Sequence, residues 1–127
     1  MSIDFLSLDD LLEIGARIVP ELAIRDLGLL ESAAARPRTT VFGEDAYPEF
    51  ADKVAALMHS IARNHALVDG NKRLAWSAAR TFCLLNSCDL VIDVDDAERL
   101  VLDTSQGSIE VPELARVIRE HLRKSPD

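Results

Sequence analysis

The chain has 127 residues, 48% of them hydrophobic and 28% charged, which fits one soluble globular domain and excludes the disordered, collagen-like and coiled-coil classes. Lys and Arg number 14 against 22 Asp and Glu, for a net charge of −8 and a pI near 4.8. A duplex-binding surface needs clustered cations to replace the counterions of the phosphates, so direct nucleic-acid binding is disfavoured, and anionic membranes with it.

In chain order, the first predicted element is a helix from Ser7 to about Val19. Ser7 is its N-cap, Asp10 a box-like partner three residues on, and Leu8, Leu11, Leu12 and Ile18 its apolar face. Pro20 ends or bends it. A second helix runs from about Leu27 to Ala35, capped by Asp26 and stopped at Arg36-Pro37. Residues Arg36 to Tyr47 show no helical period and read as a loop with a short extended flap.

From Pro48, placed in a first turn where its missing N–H costs nothing, Phe50, Val54, Leu57, Met58 and Ile61 form one helical stripe reaching about Asn64. A link from His65 to Gly70 leads into a helix from about Asn71 to Asn86. Ala75, Ala78 and Ala79 allow a second helix to approach closely, so this pair is expected at the centre of the fold. Asp89 to Val94 alternates too briefly to be more than an extended connection. Asp93, Asp95 and Asp96 suit the start of a helix to about Thr104, which Gly107 breaks. Pro112 opens a last helix with Leu114, Val117, Ile118 and Leu122 inward, and with Arg119, Arg123 and Lys124 near its C-terminal end.

The expected fold is all-α, a single domain over residues 1–127 with about six helices and a flap around residues 36–47. Cys83 and Cys88 form no C-x-x-C pair and no zinc half-site, so both are expected as free thiols in a reducing compartment. The N-terminus MSIDFLSLDDLLEIG lacks the basic and long apolar parts of a signal peptide, and no apolar run approaches about 18 residues, so a cytoplasmic protein is expected.

The chemistry concentrates in His65-Ala66-Leu67-Val68-Asp69-Gly70-Asn71-Lys72-Arg73, between the two central helices. A loop entering a helix N-terminus presents unpaired N–H groups and the positive end of the dipole, which together favour an anion. Gly70 permits close backbone approach, Asn71 offers an amide donor, and Lys72 and Arg73 add cations where a helix by itself would prefer acids. Asp69 reads either as a Mg²⁺ ligand beside phosphates or as a turn residue, since Asp-Gly is a frequent turn pair. His65 reads either as a general base, its ordinary pKa being near 6.5, or as a histidine favourably placed at a helix C-terminus. His59 and His121 have no such company and are assigned to structure or surface. Between Lys53 and Asn86 the five cations Lys53, Arg63, Lys72, Arg73 and Arg80 meet only Asp69, a local charge of +4 inside a remainder of −12. Such an island suits the phosphates of one nucleotide better than a polymer.

These nine residues resemble the motif H-x-F-x-[DN]-[AG]-N-K-R of the Fic/Doc family, in its Doc (death-on-curing) toxin branch. Arg25-Asp26-Leu27-Gly28-Leu29-Leu30-Glu31-Ser32 and Phe82-Cys83-Leu84-Leu85-Asn86 carry weaker likeness. The resemblance implies an all-helical Fic-type fold and an ATP-dependent transfer to a protein hydroxyl. The adenylylating branch has a second glycine where Lys72 stands and a second arginine where Trp76 stands, so these residues favour the Doc branch, a Mg-ATP-dependent protein kinase of a translation factor, elongation factor Tu. In that reading His65 is the general base, Asp69 holds Mg²⁺, the Gly70 backbone with Asn71, Lys72 and Arg73 holds phosphates, and Arg63 assists from the preceding helix.

The implied partner is a Phd-like antitoxin whose C-terminal helix lies in an apolar groove near the site, a groove expected to be rimmed by cations. Transfer of AMP and a degenerate, non-catalytic binding protein are the alternatives. Leu67 replaces the motif phenylalanine, an apolar exchange expected to keep the loop anchored with some loosening. Ser87 replaces the glycine usual after the helix-ending Asn86, at a small C-cap cost.

Overall fold

The computed structural model describes residues 2–125. Helix α1 (Leu8–Ile18) starts on a complete capping box, in which the Ser7 hydroxyl accepts from the Asp10 N–H at 3.1 Å and the Asp10 carboxylate accepts from the Ser7 N–H at 2.9 Å. Helix α2 (Leu27–Ala35) starts where Asp26 accepts from the Leu29 N–H at 3.1 Å, and it tightens into a 3₁₀ turn over Arg36–Arg38 around the buried Pro37.

The expected flap is a two-stranded antiparallel hairpin, β1 (Thr40–Val41) with β2 (Glu44–Asp45), in which Val41 pairs with Glu44. Phe42 (φ 52) and Gly43 (φ 82) make its turn, the positive-φ pair that suits a two-residue hairpin loop, and Phe42 stands fully exposed. Lys53, 5% exposed, reaches back from the next helix to the Asp45 carboxylate at 3.1 Å and to the Tyr47 carbonyl, which fixes the base of the hairpin.

Helix α3 (Phe50–Asn64) runs through the middle and packs on α2 and on the three helices that follow. Its N-cap is Glu49, whose N–H bonds the Asp52 carboxylate at 3.1 Å. Pro48 therefore lies one residue outside the cap and not in the first turn, because the Glu49–Asp52 box sets the start two residues later than the proline suggested. Helix α4 (Asn71–Leu85) makes the most extensive interhelical contact, with α3. Ala55 and Ala62 of α3 and Ala75, Ala78 and Ala79 of α4 are all fully buried, so small side chains do allow the close approach. Phe82 anchors this centre, with Phe5 and Phe50 rings at 5.8 and 5.0 Å.

The far end differs from expectation. Cys88–Leu90 forms strand β3, antiparallel to β4 (Leu122–Lys124), with Cys88 opposite Lys124 and Leu90 opposite Leu122. Helix α5 (Val94–Ser105) and helix α6 (Val111–His121) lie between them, and α6 ends at His121 because Leu122 is extended. Arg123 and Lys124 consequently lie on a strand and not on the last helical turn. Three-residue strands paired across two helices leave no periodic trace in the sequence. Ser87 adopts φ 66, the left-handed turn that glycine would enter at lower cost. Cys83 is buried and Cys88 half-buried, and both are free; burial pushes the Cys83 thiol far above its usual range. Among the described residues no helix is long and apolar enough to cross a membrane.

Candidate active site at the α3–α4 loop

Helix α3 ends on His65, itself in the left-handed region at φ 54, a conformation that turns the chain sharply and leaves the imidazole exposed. The next residues are pinned from three directions. Leu67 is 2% exposed in the core, so leucine anchors the loop where the family motif has phenylalanine. The segment before α2 lies alongside: Ile24 bridges Leu67, Val68 N–H donates to the Ala23 carbonyl at 3.0 Å, and the Arg25 and Asp26 N–H groups both donate to the Ala66 carbonyl. The Arg25 guanidinium then caps the end of α3, donating through Nε to the His65 carbonyl at 2.8 Å and through Nη2 to the carbonyls of His65 and Asn64. No local sequence pattern marks Arg25 for this position. Its contact lies 40 residues along the chain, beyond any spacing rule.

The third anchor is Asn71. Its side-chain oxygen accepts from the Leu67 N–H at 2.9 Å and its amide donates to the Leu67 carbonyl at 3.0 Å, closing the loop into a ring. Both ends of this amide are thus engaged with the loop itself.

Gly70 is the N-cap of α4 at φ 91. A β-carbon there would stand 2.6 Å from Val19 Cγ2, so the close approach that the glycine permits is to the end of α1. The first helical bond of α4 runs from Leu74 N–H to the Gly70 carbonyl at 2.9 Å, which leaves the N–H groups of Asn71, Lys72 and Arg73 outside the intrahelical ladder.

Asp69, Gly70, Asn71, Lys72 and Arg73 line one side of a cleft of about 920 Å³, with Trp76 and helix α5 as its other walls. That volume suits a small organic ligand. Asp69, Lys72 and Arg73 are exposed, and Arg73 also donates to the Ile18 carbonyl at 3.3 Å. His65 is not among the cleft's lining residues.

The cationic window does not converge as a whole. Lys53 pairs with Asp45 at 3.1 Å, Arg80 with Asp89 at 3.0 Å, and Arg63 faces Glu110 at 3.9 Å while its guanidinium lies over Gly107. Lys72 and Arg73 are the two of the five that line the cleft. Arg63, the last-but-one residue of α3, belongs instead to the α5–α6 turn, where Glu110 and Gly107 lie against its guanidinium.

A divalent ion needs several oxygen ligands, and among the described residues no cluster of three metal-ligating side chains exists. One exposed carboxylate, Asp69, fits Mg²⁺ only where the remaining ligands are phosphate oxygens and water.

A second groove, of about 550 Å³, runs between α1 and α4, lined by Leu6, Ile14, Ile18, Leu84 and Leu85 and by Trp76, which lines both cavities. Its charged lining is mixed, Asp10 and Glu13 with Arg17 and Arg80, and not the cationic rim expected.

Comparison with known proteins agrees with this geometry. The chain is 48% identical over 115 residues, 88% of each chain, to a protein named Toxin Doc from Mycolicibacterium smegmatis. The sequence model described as Fic/DOC family matches residues 5–83, from the segment before α1 through the motif loop and most of α4. A six-helix frame, a pinned loop from His65 to Arg73 and a match across most of the chain lead to one assignment: the chain belongs to the Fic/DOC family.

Proposed function

We propose that this protein is the toxin of a toxin–antitoxin pair and acts as a Mg-ATP-dependent protein kinase. It would move the terminal phosphate of ATP to a Ser or Thr hydroxyl of a translation elongation factor, by resemblance elongation factor Tu, and so arrest translation. The observation that carries this reading is the gathering of Asp69, Gly70, Asn71, Lys72 and Arg73 on one wall of a nucleotide-sized cleft. Phosphoryl transfer demands mainly positioning and neutralisation of charge.

The N–H groups of Asn71, Lys72 and Arg73 receive phosphate oxygens at the positive end of α4, with the Lys72 and Arg73 side chains adding charge. Asn71 serves through its backbone, its side chain keeping the loop closed on Leu67. His65 takes the proton of the target hydroxyl as that oxygen attacks the terminal phosphorus, and ADP leaves with the electrons of the broken P–O bond. Mg²⁺, held by Asp69, would neutralise charge on the phosphates. Arg25, through the His65 carbonyl, fixes the backbone from which the imidazole projects. Arg63 is left out of this set, since it faces Glu110.

The α1–α4 groove supports a partner of the Phd-like antitoxin kind, an amphipathic helix laying its apolar face against Ile14, Ile18, Leu84 and Leu85. The anchoring of Leu67, 2% exposed, favours an active protein over a degenerate binding one.

The test is induction in a bacterial host without antitoxin. Wild type should arrest growth, while His65→Ala and Asp69→Ala, expressed to the same level, should not. Equal arrest by all three would remove catalysis as the cause and leave a binding protein.

A further inference from the structure

The cleft is strongly two-sided. One end carries Asp69, Lys72, Arg73 and the open N–H groups of α4. The opposite wall, from the segment before α5 and from α5 itself, is Ile92, Val94, Ala97, Val101 and Leu102, with Val94 70% and Leu102 38% exposed. Apolar side chains left open beside a polar site mark a ligand surface more often than a defect of folding. Trp76 lies three residues beyond Arg73 and four beyond Lys72, on the same face of α4, and it is half-buried where the two walls meet. Trp76 lies five positions after Asn71, about 7.5 Å along the helix axis, comparable to the reach from a nucleotide's phosphates to its base.

We propose that Trp76 and the apolar wall formed by Ile92, Val101 and Leu102 are the seat of the nucleotide's base, with the indole as the stacking surface. This rests on the reading of the cleft as a nucleotide site. Aromatic side chains bind any flat heteroaromatic ring through its face, without needing a pattern of hydrogen bonds. The α5 side, where Asp95 and Glu98 line the cleft with the single cation Arg99, is net negative and disfavours phosphates, whereas on the α4 side Lys72 and Arg73 outnumber Asp69. The carboxylates of Asp95 and Glu98 are suited instead to accept from sugar hydroxyls. The charge pattern thereby sets the direction of the ligand: phosphates on α4, sugar and base toward α5 and Trp76.

Trp76 is the only tryptophan of the chain, so emission reports its surroundings alone, the cleft and the adjoining α1–α4 groove. The full chain is titrated with Mg-ATP and with inorganic tripolyphosphate, following tryptophan emission and, in parallel, calorimetric heat. ATP should bind and change the emission, whereas tripolyphosphate should bind with little change. Trp76→Ala and Leu102→Glu should each weaken ATP about tenfold, leave tripolyphosphate within twofold, and in the first case be largely rescued by Trp76→Phe. ATP heat without any emission change, or ATP affinity unaltered in both variants, would overturn the base assignment while leaving the phosphate site standing. No heat from either ligand would overturn the nucleotide reading itself, and the base seat with it.

Discussion

Gly70→Ala perturbs the point where the motif loop enters α4, and its effect can be worked out from two independent costs. A β-carbon is strained at φ 91, beyond the usual left-handed well, a cost of about 1–3 kcal/mol. The new methyl would also lie 2.6 and 2.9 Å from the two γ-carbons of Val19, a core residue 5% exposed, which must shift. Overpacking of that kind costs about 1–3 kcal/mol. Together they come to about 2–6 kcal/mol, a large part of the roughly 5–15 kcal/mol that holds a domain folded. The assay is urea unfolding of Gly70→Ala, Val19→Ala and the double variant. Val19→Ala alone should cost about 2 kcal/mol in lost burial. In the double variant the γ-carbons are gone, so the total should fall short of the sum by about 1 kcal/mol or more, while the backbone strain remains. A Gly70→Ala cost below about 1 kcal/mol, or additivity within about 0.5 kcal/mol, would refute the close-approach argument.

Asn71→Ala opens the ring on Leu67 and leaves two buried backbone groups without partners, which should lower stability by about 1–3 kcal/mol in denaturant unfolding. Arg25→Ala should cut growth arrest on induction far more than it lowers the unfolding midpoint, since it frees the His65 carbonyl without opening the core; an equal arrest would remove Arg25 as a positioning residue. His59 lies between the Arg36 guanidinium at 2.9 Å and Glu110 at 3.0 Å, with Arg63 also near. Burial, reinforced by Arg36 and Arg63 and opposed by Glu110, holds its pKa below 6.5. The unfolded chain therefore binds this proton first, so the contribution is full above about pH 6.5 and is lost as pH falls through the depressed folded value. The unfolding midpoint should drop between about pH 7 and pH 5 more steeply in wild type than in His59→Gln, and equal slopes would contradict the assignment.

The parts of the molecule legible in the sequence are those written locally. Ser7-Asp10 and Asp26 mark helix starts through neighbours three residues away, and the Phe50 to Ile61 stripe and the alanines of α4 mark the central pair through a 3.6-residue period. The motif loop was legible because glycine and two cations at a helix start conflict with helix stability on its own. What was not legible depends on residues far apart in the chain. Arg25 meets His65 across 40 residues. β3 and β4 pair across two helices. Net charge over a window misjudged the site because Lys53, Arg63 and Arg80 sit on turns of α3 and α4 that face Asp45, Glu110 and Asp89, acids supplied by other elements. Asn71 could be read as a donor but not as a donor already engaged, since its partner is set by the loop's curvature and not by residue type.

The central claim, transfer of the terminal phosphate, is tested most directly by incubating the protein with Mg²⁺, elongation factor Tu and ATP labelled at either the α or the γ phosphate. The account predicts label on the factor from the γ position only, abolished by His65→Ala. Label from the α position would establish AMP transfer instead, and no label from either would contradict the proposed kinase activity toward this factor.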